Sequence, residues 1–382
     1  MKDTDLINYL QKTRNIQDTT TRAYKIYLNE YTSYYNMTLQ QLLDEAENEE
    51  ENGIRWKHRT LKKRLTEYRV YLYDKHSQKT ARERFNKIQA FYRHFDIEIH
   101  NLPNFNEKNV NRPEPIRPED LPDKEVLRSA IEIASPVMKA IILFMSSSGS
   151  ARAETLSLTI KDYIKATKNY HNNNNIYKII ETLNQTSDVV PTWQIKRVKT
   201  DKYYTTFSSP ESVTAINHYL QDRTDNITLE SKLFKINPTT FTLSFEEIND
   251  KLNLGKIGHY RRFRSHMLRK YHASTLAGDG MSRDLINDLQ GKSKTITDES
   301  YFMLRTEDLL NEYVNHLPSL LLNKDVEKIT VKSQEFLKLE NDNRELQETI
   351  KEQQNKYDTI LQRIEALENK SDDDILAKFR KN

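Results

Sequence analysis

At 382 residues the chain exceeds one ordinary domain, and two compact units plus an appendage is the organisation this length suggests. Lysine and arginine number 59 against 56 acidic residues, so the net charge of +3 is too small to identify a nucleic-acid partner, which has to be sought in local clusters. The absence of cysteine excludes disulfides, thiolate nucleophiles and thiolate-bound zinc. A mean hydropathy of -0.84, no apolar run near the roughly 20 residues that span a bilayer, and an opening MKDTDLINYL without a secretory pattern read as a water-soluble protein that stays where it is made.

With 7 glycines in the whole chain, a mainly α-helical protein with few tight turns is expected. Residues 1–102 read as an N-terminal helical bundle. Thr19 and Thr20 offer caps for a helix whose inner face is Ala23, Tyr24, Tyr27, Leu28 and Tyr31. Leu61, Leu65, Tyr68 and Leu72 form a second such face, and Phe85, Ile88, Phe91 and Phe95 a third. Opposite these stripes lie Arg55, Lys57, His58, Arg59, Lys62, Lys63 and Arg64, then Lys79, Arg82, Arg84, Lys87 and Arg93. Such runs are usually solvated helix faces; the sharper reading is a DNA-binding surface in which Arg59, Lys62, Lys63, Lys79, Arg82 and Arg84 meet phosphates. Glu47, Glu49, Glu50 and Glu51 read as a solvated acidic loop, not a metal site.

Pro103, Pro113, Pro115, Pro118 and Pro122 mark residues 103–122 as an extended linker. From Lys124 one helical pattern runs through Val126, Leu127, Ile131 and Ala134, and a strongly apolar second one through Met138, Ile141, Ile142 and Met145. After a helix holding Leu156 and Leu158, His171 to Asn175 is a loop by composition. Ile176–Thr182, Thr192–Val198 and Tyr203–Phe207 read as strands, with a hairpin turn over Lys199 to Lys202. Helical patterns then return. Residues 123–322 are thus expected to be an α+β domain with a small antiparallel sheet. Over 325–370 a seven-residue repeat carries Ile329, Phe336, Asn343, Ile350, Tyr357 and Ile364 at one position and Leu339, Leu346, Gln353, Ile360 and Leu367 at the other, the seam of a C-terminal coiled coil.

Four separated pieces of the second unit stand out together. They are Ser148 to Glu154 with Arg152 inside it, Lys199 in the hairpin, His266-Met267-Leu268-Arg269-Lys270, and Gly291-Lys292 followed by Tyr301. In order and spacing they resemble the tyrosine recombinase and phage integrase family, including archaeal integrases and Xer-like recombinases. The family pattern is an arginine, a lysine on a β-hairpin, HxxR, a Gly-His or Gly-Trp step, and a tyrosine. Here His266 and Arg269 keep the HxxR spacing, Lys292 follows Arg269 by 23 residues, and Tyr301 follows Lys292 by nine. Two departures stand out. Lys292 replaces the usual ring, and Glu154 sits one position closer to Arg152 than in the common bacterial form.

The resemblance implies a catalytic set of Arg152, Lys199, His266, Arg269, Lys292 and Tyr301, and the chemistry of those groups agrees. Breaking a phosphodiester takes a nucleophile, cations for the developing oxyanions and an acid for the leaving oxygen. Tyr301 would be the nucleophile, while Arg152 and Arg269 present forked, permanently charged donors to the phosphate. His266 would donate to a non-bridging oxygen or help take the tyrosine proton. Lys199 would be the general acid, with Lys196 and Lys202 as alternatives because a hairpin register read from sequence can slip. No nucleotide-binding glycine loop is present, and neither a cofactor nor a metal is expected. The implied partners are double-stranded DNA attachment sites and further copies of the chain, as a tetramer on DNA, with no membrane, in the cytoplasm at the nucleoid. Integration or excision of a mobile element is the leading role and Xer-like dimer resolution the alternative. From another class comes a catalytically silent DNA-binding scaffold with a recombinase fold.

Overall fold

The computed structural model describes residues 2–107, 115–198, 201–292 and 305–323, and, nearer the C-terminus, 342–343, 346–347 and 349–362. The chain divides into two compact units, 1–115 and 116–382. The described residues are mainly helical, with small antiparallel sheets of two strands. None of their helices is long and apolar enough to cross a membrane.

The first unit holds α1 (Asp3–Thr13), α2 (Asp18–Tyr35), α3 (Leu39–Glu51), α4 (Thr60–Lys75) and α5 (Gln78–His94). The three expected apolar faces lie on α2, α4 and α5, and α1 and α3 add Leu6, Ile7, Leu10, Leu39, Leu42 and Leu43 to the same core. Tyrosines dominate its centre. Tyr31 and Tyr68 meet edge to face at 4.7 Å, Tyr31 and Tyr92 share a hydroxyl hydrogen bond of 3.1 Å, and Tyr35 donates to the Arg64 carbonyl at 2.7 Å. Two local expectations change. Helix α2 starts at Asp18 after Gln17, so neither Thr19 nor Thr20 is its cap, and Thr21 turns its hydroxyl back to the Gln17 carbonyl. The acidic run is the last part of α3, not a loop. Glu49 accepts the Thr60 amide at 2.8 Å, capping α4 from outside, and Glu50 pairs with Arg59.

The proline-rich stretch is held at both described ends. Arg69 donates to the Pro103 carbonyl at 2.7 Å, Phe105 packs on Tyr73 at 4.6 Å, and Glu107 binds Tyr73, Gln78 and Arg82. On the other side Arg262 donates to the Glu119 and Asp120 carbonyls of the second unit.

The second unit begins with α6 (Lys124–Ile133), capped by Asp123 onto the Val126 amide at 2.8 Å. Proline at the first turn opens α7 (Pro136–Ser148), whose residues Ala140 to Ser148 are all buried and which ends on Gly149 at φ +65°. Then follow α8 (Arg152–Ser157), α9 (Ile160–Ala166) and α10 (Ile176–Asn184). The last overturns the expected strand at Ile176–Thr182. Ile176, Ile179, Ile180 and Leu183 are buried at helical spacing, and Asn175 caps the Tyr177 amide at 2.9 Å, so periodicity prevails over β-branched composition.

Strands β1 (Thr192–Arg197) and β2 (Lys202–Phe207) form the expected hairpin, paired from Thr192↔Phe207 to Arg197↔Lys202. Lys202 therefore belongs to β2 and not to the turn. After them come α11 (Pro210–Gln221), α12 (Pro238–Lys251), a two-residue ladder of β3 (Lys256–Ile257) and β4 (Tyr260–Arg261), then α13 (Ser265–Gly278), α14 (Arg283–Leu289) and α15 (Thr306–Leu320). Helix α7 is the axis, contacted by α6, α11, α13, α15 and β2. Phe144 on it packs against Trp193 at 5.0 Å and Phe234 at 5.7 Å. Residues 349–362 are helical and exposed, including seam positions Ile350, Tyr357 and Ile360; much of the remaining repeat, from Ile329 to Leu339 and again Ile364 and Leu367, falls outside the described residues.

Truncating Phe144 empties the centre of this core. Phe144→Ala is expected to cost the second unit about 3–5 kcal/mol. Urea unfolding followed by the fluorescence of Trp193, with Trp56 replaced by phenylalanine, measures it.

Candidate active site

The end of α7 sets the site. A helix terminus leaves its last carbonyls without helical partners, and a buried terminus needs them supplied. Three arrive from distant elements. Tyr313 of α15 donates to the Ser147 carbonyl at 2.9 Å, Thr206 of β2 to Ser148 at 2.8 Å, and Arg269 of α13 to Gly149 at 2.6 Å. Arg269 also donates to the Gln290 carbonyl at 2.5 Å just past α14, and Gln290 returns its amide to the Arg269 carbonyl at 2.9 Å. The guanidinium is thus fixed at both ends with its side chain 11% exposed, and still carries N–H donors for an incoming anion.

His266 lies one turn before Arg269 on α13, so both project from one face. Arg152 opens α8 and donates to the Pro238 carbonyl at 2.9 Å, with its guanidinium 5.5 Å from the Phe241 ring centre. Arg152, His266 and Arg269 line one open cleft of 780 Å³, whose rim includes Lys232. Lys292 ends the turn after α14. Burial and the positive charges of Arg269, Arg197 and Arg283 lower its pKa from the ordinary lysine value. Four of the six expected catalytic residues are therefore gathered around Arg269. Lys199 and Tyr301 fall outside the described residues.

The hairpin distinguishes the two alternative lysines. Lys196 lies on the solvent side of β1 and pairs with Asp201 at 2.7 Å, which raises its pKa. Lys202 pairs in register with Arg197 on the side shared by Ile195 and Tyr204.

Several further residues carry the site, of which Glu154 lies inside a sequence motif and the others stand apart. Glu154 is buried, accepts from the Ala151 amide at 2.9 Å and from the Tyr204 hydroxyl at 3.0 Å, and lies 3.9 Å from Arg269. Tyr204 also covers Gly291, where a Cβ would come within 2.5 Å of its ring. Burial raises the Tyr204 pKa, so its hydroxyl stays a donor. Behind Arg269, His272 is buried and its Nδ1 faces the Gln290 amide at 3.2 Å. Burial first, then the charges of Arg269 and Lys292, push its pKa down to about 3. The alternating burial of Trp193 and Ile195 along β1 defines the inward side of the hairpin. Among the described residues no group of three His, Asp or Glu side chains is arranged to hold a metal ion.

Of the six candidate DNA contacts on the first unit, the three arginines are held by acids: Arg59 pairs with Glu50, Arg84 with Glu30, and Arg82 with Glu107, while Lys63 makes a looser, exposed pair with Glu67 at 3.9 Å. Lys63 and Lys79 are exposed and Lys62 half-buried, and Lys57, His58, Lys62 and Lys63 line a groove of 440 Å³ at the start of α4.

Residues 123–307 match the phage integrase family. The second unit carries a phage integrase family domain. Members of this family are DNA recombinases of the tyrosine type. Among solved structures, the integrase of the Tn1549 transposon in complex with transposon right-end DNA is similar at 15% identity and a TM-score of 0.50, covering 83% of this chain and 100% of that one. XerH site-specific recombinase bound to its difH substrate is similar at 17% identity and a TM-score of 0.47, over 81% of this chain and 84% of that one. At such identities the transposon integrase shows a shared fold. No match is found among curated proteins. The matched residues span Arg152, His266, Arg269 and Lys292, the first three of which line the cleft.

Two outcomes are expected from this site. Gly291 at φ +57° leaves no room for a side chain, so Gly291→Ala should cost about 1–3 kcal/mol in chemical unfolding of the second unit. His272 holds its proton more weakly folded than unfolded. As pH falls below 6.5 the unfolded chain gains a proton that the folded one refuses until about 3, so this contribution to stability is lost between those values. The stability difference between wild type and His272→Gln should therefore fall by about 2 kcal/mol from pH 6.5 to 4.5 in urea titrations, and a constant difference would contradict this.

Proposed function

We propose that this chain is a site-specific strand transferase that cleaves and rejoins DNA through a 3'-phosphotyrosyl bond at Tyr301, serving integration or excision of a mobile element. The observation that carries the reading is the cleft shared by Arg152, His266 and Arg269, with Arg269 locked by the Gly149 and Gln290 carbonyls and Lys292 beside it. A preorganised group of cations suits a phosphodiester whose charge grows as it is attacked.

In the proposed step the Tyr301 oxygen bonds to phosphorus and the bond from phosphorus to the 5'-oxygen breaks. The tyrosine proton passes to His266 or to solvent, and Lys199 protonates the leaving oxygen. Arg152 and Arg269 hold the non-bridging oxygens, and Lys292 adds a further donor. Attack by a 5'-hydroxyl from another strand reverses the step and reseals DNA, so the energy of the broken bond is kept in the phosphotyrosine. Lys57, Lys62, Lys63 and Lys79 of the first unit support backbone contacts with duplex DNA. The exposed seam residues Leu346, Ile350, Tyr357 and Ile360 support an arm that joins copies of the chain.

Nicked duplexes tiled across the DNA flanking the gene supply the test. Wild type should form a denaturant-resistant protein–DNA adduct on one of them, Tyr301→Phe none, and Arg269→Lys should form it about 100-fold more slowly because a point charge cannot replace two fixed forks. An adduct with Tyr301→Phe, or none with wild type, overturns the reading. Removal of residues 325–382 should lower the sedimentation coefficient of the self-associated protein while leaving binding to a single site within about threefold.

A further inference from the structure

Arg197 has no role in the family pattern or in the step above. It ends β1, and alternation along the strand places it on the side of buried Trp193 and Ile195, while Gln194 and Lys196 face solvent. In the register it pairs with Lys202, one inward pair nearer the hairpin tip than Ile195 and Tyr204. That tyrosine is the contact between the hairpin, Glu154 and Gly291, so the inward side of the hairpin faces the turn that carries Lys292. The Nη1 atom of Arg197 is buried and has no hydrogen-bond partner among the described residues. A charged donor buried without a partner is costly, more so than a neutral one.

Its surroundings repel it. Arg269 and Lys292 both feel the positive charge of Arg197. The neighbouring carboxylate, Glu154, is already engaged by the Ala151 amide and the Tyr204 hydroxyl, and its ion-pair distance is to Arg269. Lys196, one residue away, has its own acid in Asp201, and no salt bridge joins Arg197 to an acidic residue among the described ones. Two further cations thus stand near a donor with nothing to bind, an arrangement that an anion would relieve.

We propose that Arg197 is a further ligand of the scissile phosphate, bringing a guanidinium from the hairpin to share the two non-bridging oxygens with Arg152 and Arg269. This rests on the strand-transfer reading. Arg152 lines the open cleft, tied to Pro238 and Phe241, whereas Arg197 approaches from the hairpin, near enough for its charge to act on Arg269 and Lys292.

The test uses the full-length protein and the duplex that gives the wild-type adduct, with either a phosphodiester or a neutral methylphosphonate at the scissile position. On the phosphodiester Arg197→Gln should slow adduct formation about 100-fold and Arg197→Lys about 10-fold. On the methylphosphonate, where one oxygen charge is gone, the gap between wild type and each variant should shrink below about threefold. A residue that only supports the hairpin loses the same factor on both substrates. An unchanged rate with both variants, or an equal loss on both substrates, overturns the assignment. If Arg197→Gln melts early, Arg197→Lys carries the comparison, because it keeps the charge and the stem. Failure of wild type itself to form an adduct overturns the strand-transfer reading and this role with it, whereas a normal wild-type adduct beside undiminished variants overturns the role of Arg197 alone.

Discussion

The buried end of α7 is the constraint around which the second unit is arranged. Ser147, Ser148 and Gly149 have carbonyls that water cannot reach, and an unsatisfied buried acceptor costs about 1–3 kcal/mol. Their donors come from three elements far apart in the chain, Tyr313, Thr206 and Arg269, so a single helix terminus fixes α15, the hairpin and α13 relative to each other. The negative end of the helix also favours the guanidinium placed there. Gly149 is required by geometry as well as by its φ, since a Cβ would meet the His272 ring at 2.6 Å.

That arrangement allows like charges to be collected. Arg269, Lys292 and Arg197 would separate if they were free on the surface, but each is anchored by backbone that has other reasons to be where it is. Arg269 answers the α7 and α14 carbonyls, Lys292 follows the glycine turn under Tyr204, and Arg197 continues the inward side of a strand whose previous members fill the core. Folding energy from apolar burial holds the cations in a field they would otherwise escape. His272 stays neutral in the same field for the same reason, which keeps a further positive charge out of the cluster. The result is a site prepared for an anion before one arrives.

Much of the architecture was legible because it follows from periodicity. The apolar faces of α2, α4, α5 and α7 and the hairpin of β1 and β2 were expected where they lie. The failure at α10 is instructive: Ile176, Ile179 and Ile180 are β-branched, yet their spacing and the Asn175 cap select a helix packed on α9 and α11. The acidic run of α3 misled in another way. Its charges suggested a loop, but Glu49 and Glu50 face the start of α4, where unpaired amides and Arg59 receive them. Charge pattern alone does not say which charges find partners, which is why Arg59, Arg82 and Arg84 looked as open to phosphate as Lys63 and Lys79.

The sequence by itself determined which groups are candidates for the proposed chemistry. HxxR on a helix, a lysine after a glycine turn and an arginine at a helix start are local patterns with fixed intervals, and each is set by the chain's own geometry. Tertiary structure decided which other residues serve them. Tyr204, Gln290 and Arg197 have no distinguishing local pattern, because their importance comes from what lies across a gap of tens of residues. Whether Arg197 has a carboxylate beside it or two other cations depends on how the hairpin closes over α13 and α14. Nothing within a few residues of it in the chain could reveal that.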